Sequence, residues 1–363
     1  MLSDLKSVLV KRIASLQSVG QPFFPAGLFP AYRTNPLVGY HRPDTTIFFS
    51  AIISFTLQTI RDSVADAETR QLIDDIREKV VANYPLFRNK DGLKTYNFWP
   101  TRPSRHFPNG YLFRHFEHFR IPDDVDDTAL AYLTTTPTRE ELHWLKEKLP
   151  QHANGTRLWI RNTYPEYQQL RAYSTWFGKN MYIEFDSCVL SNLLYCIFRY
   201  GLPLNRHDED SLTYIRSVIE SDRYRTDPFR CAHQYPRTPL IIYHVARLIA
   251  AFDPPQLRSV RPKLVQDSQI LLAEITHPMD RVLLATSLLR LGERPERLPV
   301  ENYTGKDFRG FFFFIAGLLT AYEHPLLYKM ASCPLLHMRW ECEAHCWTLL
   351  AEYQSLCENR AEG

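Results

Sequence analysis

Apolar positions along this chain fall into two arrangements. In the first, a Pro or Asp start leads into ten or more mostly apolar residues with small ones interleaved. Examples are PDTTIFFSAIISFTL from Pro43, PDDVDDTALAYL from Pro122, EFDSCVLSNLLYCIF from Glu184, HPMDRVLLATSLLRLG from His277, KDFRGFFFFIAGLLTAY from Lys306 and CEAHCWTLLAEY from Cys342. A helix apolar on all sides is a buried helix. In the second, exemplified by DAETRQLIDDIREKVVANY and DEDSLTYIRSVIESD, a single apolar stripe marks a helix lying outside the first kind. Aspartate suits the starts, because its carboxylate accepts the free amides of the first turn and the helix dipole favours its charge. Strand-like alternation of any length is missing from the sequence. The pattern therefore predicts an all-α, single-domain α/α toroid over residues 1–363, with 1–40 as an N-terminal helical extension. Inner helices are expected to start near residues 44, 126, 186, 240, 280, 309 and 342, with those starts grouped at one mouth. The competing expectation is an irregular all-α domain.

Composition narrows the setting. The chain has 363 residues and 45% hydrophobic content, enough for one large core or two modest ones. A formal charge of +3 argues against nucleic acid or an anionic membrane as the main partner, and leaves peripheral membrane contact open. Seven cysteines without a CxxC framework fit a reducing, cytoplasmic setting. The first 20 residues read as an amphipathic helix, not a signal peptide. The longest apolar run, Phe311 to Tyr322, is about half of the roughly 20 residues a membrane span needs, and reads as a buried helix.

The chemistry concentrates in IPDDVDDTALAYL, where Asp123, Asp124, Asp126 and Asp127 crowd the start of an apolar helix. They can cap that helix, hold a metal, or keep one carboxyl protonated at neutral pH. Carboxylates about 5 Å apart repel by roughly 3 kcal/mol at an effective dielectric near 20, which favours a retained proton. Asp124-Val125-Asp126-Asp127-Thr128-Ala129 resembles the DxDDTA motif of squalene-hopene cyclases and class II diterpene cyclases. The resemblance covers some eight residues. It implies an α/α toroid in which Asp126, flanked by Asp124 and Asp127, protonates an isoprenoid or similar hydrophobic substrate and starts a carbocation cyclisation, with no cofactor. Those families place the site between two toroid domains and this chain has room for one, which leaves three alternatives: its own barrel cavity, a partner toroid domain, or aspartates that serve only as caps. Aromatic faces stabilise a passing cation, and FWP at 98–100, STWFG at 174–178 with its Trp176, and Tyr224, Tyr235 and Tyr243 are candidates, with Asp186 and Asp126 at the rim of a dry cavity.

Other constellations give alternatives. FDSC followed by YHVARLIAAF resembles the Asp-x-Cys and Tyr-His of the zinc-binding β subunits of protein prenyltransferases, which implies zinc on Asp186, Cys188 and His244. Asp123, Asp124 and Asp127 also resemble the magnesium-binding DDxxD of class I terpene synthases, without its second ligand helix. His115 and His118 sit at i, i+3 with no third ligand nearby, and read as surface residues. Asp126 paired with Asp186 or Glu184 fits two-carboxylate carbohydrate chemistry. A non-catalytic toroid that binds a lipid or a protein is the third class. There is no Gly-rich phosphate loop and no G-x-S-x-G elbow.

Overall fold

The computed structural model describes residues 5–116, 120–179, 181–317, 320 and 323–359. Most of them are helical. In chain order the helices are α1 (Leu5–Ser15), α2 (Phe48–Ile60), α3 (Ala67–Val81), α4 (Val125–Thr134), α5 (Arg139–Lys148), α6 (Ser187–Arg199), α7 (Arg206–Glu220), the short α8 (Arg223–Thr226) and α9 (Pro228–Cys231), α10 (Thr238–Phe252), α11 (Arg261–Glu274), α12 (Pro278–Arg290), α13 (Pro325–Ala331) and α14 (Glu343–Asn359). Four strands join them: β1 (Ala31–Asn35), β2 (Tyr40–Asp44), β3 (Phe314–Gly317) and β4 (His337–Glu341). Among the described residues no helix is long and apolar enough to cross a membrane.

Helix starts follow local chemistry. Asp124 caps α4 and Asp186 caps α6 by accepting first-turn amides, and the imidazole of His277 does the same for α12. The end of α10 is set by Asp253, whose left-handed φ of 42° precedes Pro254. α2 is buried on nearly every face, whereas α3 buries only Thr69, Ile73, Ile76 and Val80, a single stripe at helical spacing. α2 thus follows the first arrangement read in the sequence and α3 the second.

Six helices pack in a closed succession, α2 on α4, α4 on α6, α6 on α10, α10 on α12, α12 on α14, and α14 back on α2. Flanking helices lie against them: α1 on α14, α3 on α2, α7 on α6, and α11 on α12. The starts of the six inner helices meet at one end. There Phe48 packs on Phe314 and Tyr235, Tyr235 donates to Asp126, the Gln234 amide donates to Asp186, Arg237 pairs with Asp280, and Phe49 lies against His345.

The strands correct the all-α expectation. They form one antiparallel sheet of order β2-β1-β4-β3, in which Tyr32 is opposite Glu341 and Phe314 is opposite Trp340. The helix expected to start near residue 309 does not form among the described residues, and β3 stands in its place. Leu318, Leu319, Ala321 and Tyr322, the rest of that apolar run, lie outside the described residues. Aromatic side chains favour a pleated surface; here Phe314 stacks on Trp340 with ring centres 5.2 Å apart. Within residues 1–40, α1 is the helical part, and β1 begins at Ala31.

Asp44, at the end of β2, ties the sheet to the loop before α4. Fully buried, it accepts the indole N–H of both Trp99 and Trp340 at 2.9 Å and faces the buried Arg33 guanidinium at 3.3 Å.

Candidate functional site

The four aspartates have different tasks. Asp123 is held by the side chains of Asn89, Thr95 and Asn97. Asp124 is the helix cap, its Oδ1 accepting the Asp127 amide at 2.7 Å. Burial pushes both Asp124 and Asp127 upward; hydrogen bonds from Asp127 pull Asp124 back down, whereas the charge of Asp124 pushes Asp127 further up, so Asp127 holds its proton the more firmly. Asp126 caps nothing. It sits in the first turn of α4 and points across to the neighbouring helices, where Asn192 of α6 donates to its Oδ1 at 2.6 Å and the Tyr235 hydroxyl donates to its Oδ2.

Asp126 is only 6% exposed, and that burial pushes its carboxyl up to about 6 even though both hydrogen bonds and the charge of Arg247 pull it down. The connection runs on: Arg247 of α10 donates to Asn192 Oδ1, and lies over the rings of Phe55 and Tyr243. Tyr243 donates to Glu352 of α14 at 2.7 Å, and Glu352 also pairs with Arg290 of α12. A polar network from Tyr235 through Asp126 and Asn192 to Arg247 therefore crosses three successive inner helices, with the Tyr243, Glu352 and Arg290 group beside it.

Aromatic rings cover this network at the end where the helices start. Tyr235 lies 5.8 Å from Phe313, 6.2 Å from Phe48 and 4.8 Å from His244. Phe313 reaches inward to His345 at 4.3 Å and to Tyr243 at 6.2 Å. Asp126 and Asp186 are accordingly buried and not at the rim of an open cavity. That is a correction to the expected placement, and its cause is the Phe313–Phe314 segment seated over the helix starts. A surface cavity of about 400 Å³ exists at the other ends of α2, α4 and α6, lined by polar groups including Gln58, Arg61, Asp74, Thr135 and Arg199.

Asp186 shares the neighbourhood but serves the backbone. Its Oδ1 accepts the amides of Cys188 and Val189, and its Oδ2 accepts that of Gln234. Burial pushes it up to about 8 while these amides pull it down. Nearby, Gln234 donates to Glu184 at 2.8 Å and Tyr182 donates to the same carboxylate at 3.0 Å. The alternative zinc set is not assembled: both Asp186 oxygens are engaged, His244 Nδ1 is bonded to the Leu240 carbonyl, and among the described residues no three His, Cys, Asp or Glu groups gather as metal ligands. Cys188 is a buried thiol, raised well above its ordinary value by desolvation.

Of the aromatic candidates, Tyr235 and Tyr243 lie in the network, and Trp176 lies elsewhere. Trp176 pairs by backbone with Asp124 and lines a small surface cleft with His152, Leu158 and Met181. His115 is exposed, as expected of a surface residue, and His118 lies outside the described residues. Sequence reading missed Asn192, Arg247, Glu352, Arg290, His345 and Phe313. A signal for two of them was present: Asn192 and Arg247 are polar residues in the middle of otherwise apolar helices, a position that demands an internal partner.

Compared with known proteins, the chain matches no family model, no curated protein and no solved structure.

Proposed function

We propose that the closed succession of six helices is the inner ring of an α/α toroid, and that Asp126 is a general acid acting on a hydrophobic, isoprenoid-like molecule. The observation that carries this reading is the state of Asp126: a buried carboxyl pushed up to about 6, held by Tyr235 and Asn192, and free of the capping duty that Asp124 performs. At pH 7 about one such group in ten retains its proton, and the share grows as pH falls, which makes the group available for acid catalysis. Asp126 would give that proton to a substrate alkene or epoxide. The cation left on carbon would be attacked by a second double bond to close a ring, and loss of a proton would return the charge balance, giving an isomer of unchanged mass. The Asp126 carboxylate formed on proton transfer is stabilised by its two hydrogen bonds and by the Arg247 charge beyond Asn192. The rings of Tyr235, Phe48, Phe313 and Phe314 offer π faces to the cation. Substrate can reach them only when the Phe313–Phe314 segment shifts away from the helix starts.

The closure of this site favours a second reading, a non-catalytic toroid in which the network is a structural pin. Incubating wild type and Asp126→Asn with polyprenyl alcohols, their diphosphates, squalene and epoxides, and searching for isomers, separates the two. Product from wild type alone supports the acid. No product from wild type, or equal product from both, sinks it.

A further inference from the structure

Arg247 is 5% exposed, and its one carboxylate neighbour in the network, Asp126, is reached only through Asn192. Its Nη1 has no hydrogen-bond partner among the described residues. Burying a guanidinium without a direct counter-ion is costly, and so is each buried donor or acceptor left unpaired. More such atoms lie around the same rings. His244, one turn earlier on α10, donates from Nδ1 to the Leu240 carbonyl at 2.8 Å, so its Nε2 carries a lone pair, and that atom is unpartnered. His345, at the start of α14 and 1% exposed, has neither ring nitrogen bonded. Arg290, its Nη2 on Glu352, has an unpartnered Nη1. His244 and His345 both face Phe313, at 5.5 and 4.3 Å, and Arg247 and Arg290 both lie over the Tyr243 ring.

Burial and the neighbouring guanidinium hold both imidazoles neutral, His345 being pushed down to about 3. The group therefore offers cationic donors from Arg247 and Arg290, one N–H from His345, and a lone pair on His244 Nε2. Chloride, sulfate or a simple carboxylate can accept from the donors but has no proton for that lone pair near neutral pH. A phosphate with one oxygen protonated has both.

We propose that the interior beside Tyr243 is a binding site for a phosphate-type oxyanion, its oxygens accepting from Arg247, Arg290 and His345 and its P–OH donating to His244 Nε2. This assignment is independent of the acid role of Asp126, and its test involves no turnover. Thermal unfolding and calorimetric titration at pH 6.5 would compare inorganic phosphate, sulfate at matched ionic strength, and an alkyl phosphate monoester such as n-butyl phosphate. Wild type should show a saturable rise in Tm with phosphate and bind sulfate at least about tenfold more weakly, the cost of one unpaired buried acceptor. Arg247→Met should lose the phosphate response. Should that variant fail to fold, His345→Phe, which keeps a ring against Phe313, should weaken phosphate about tenfold. Tighter binding of the ester marks the head of a larger ligand and tighter binding of the free ion marks a free-ion site, and either supports the assignment. No saturable response in wild type, or equal responses to phosphate and sulfate, overturns it and leaves these groups to water.

Discussion

Replacing Asp126 by Asn isolates the energetic cost of ionising that carboxyl inside the protein. In the folded chain burial lifts Asp126 from 3.8 to about 6. The folded state thus binds the proton more tightly than the unfolded state. The associated stability is fully present below about pH 4 and is lost as pH rises through about 6. At 1.36 kcal/mol for each tenfold change, the loss amounts to about 3 kcal/mol by pH 8. An amide has nothing to ionise and fits the same partners: its oxygen accepts from Asn192, and its NH₂ donates to a Tyr235 hydroxyl that has rotated. Asp126→Asn should therefore exceed wild type by only about 1 kcal/mol at pH 4.5 and by about 3 kcal/mol at pH 8. With an unfolding entropy of about 2.1 cal/mol/K per residue, that gain raises Tm by about 4 °C for a chain of this length. Asp124 and Asp127 titrate in both proteins, so the difference between the two pH profiles largely removes their contribution. Circular-dichroism melts of both proteins from pH 4.5 to 8.5 make the measurement. Parallel profiles, or a variant less stable than wild type at pH 8, would show that Asp126 is ionised and welcomed as an anion, and the acid reading would fall with it.

Three further outcomes are expected. Asp44→Ala removes the acceptor for both indoles and strands the buried Arg33 guanidinium, so urea unfolding should show a loss of about 3–5 kcal/mol; an unchanged midpoint would mean the pairing contributes nothing. Phe313→Ala should cost about 3–5 kcal/mol by cavity formation; if substrate enters past this ring, it should also lower KM in the isomer assay, and an unchanged KM would place the entry elsewhere. Gly27→Ala should lower Tm, because Gly27 has a φ of +93° and a Cβ there would lie 2.7 Å from the Lys79 carbonyl oxygen. Strain at such a position exceeds the roughly 0.4–1 kcal/mol an unstrained Gly→Ala change would gain, so an unaltered melt would contradict the geometry.

How far the sequence carried the reading depended on whether the deciding contact was local. Asp124, Asp186 and His277 stand where helices begin, and capping is settled within three residues, so those three starts were legible from their caps, while the starts of α2, α10 and α14 were legible from the apolar runs that follow them. The seventh, near residue 309, was not, because a short apolar run with Gly310 before it and Gly317 within it fits a buried strand as well as a buried helix. Its strand character depends on pairing with His337–Glu341 and, through that strand, with Ala31–Asn35. No local window contains that information. The candidate site divides in the same way. Four aspartates in five positions announce themselves, yet which one caps and which one faces Asn192 and Tyr235 is a matter of helix phase and of neighbours 66 and 109 residues away. Asn192 and Arg247 were visible as polar residues in apolar helices, but their link to each other required α6 against α10.

The join between β1 and β4, together with α1 and α2 against α14, bears on the order in which a ribosome releases this chain. α1, β1 and α2 emerge some 300 residues ahead of the partners that cover them, Trp340 and α14. At about 5–20 residues per second, the apolar faces of α1 and α2 and the unpaired edge of β1 wait from roughly fifteen seconds to a minute for their cover. Until then Asp44 has one of its two indoles and the helix succession has a gap. Nascent chains stalled before residue 337 should therefore recruit holding chaperones, and chains of all 363 residues held outside the ribosome on an added flexible C-terminal linker should release them.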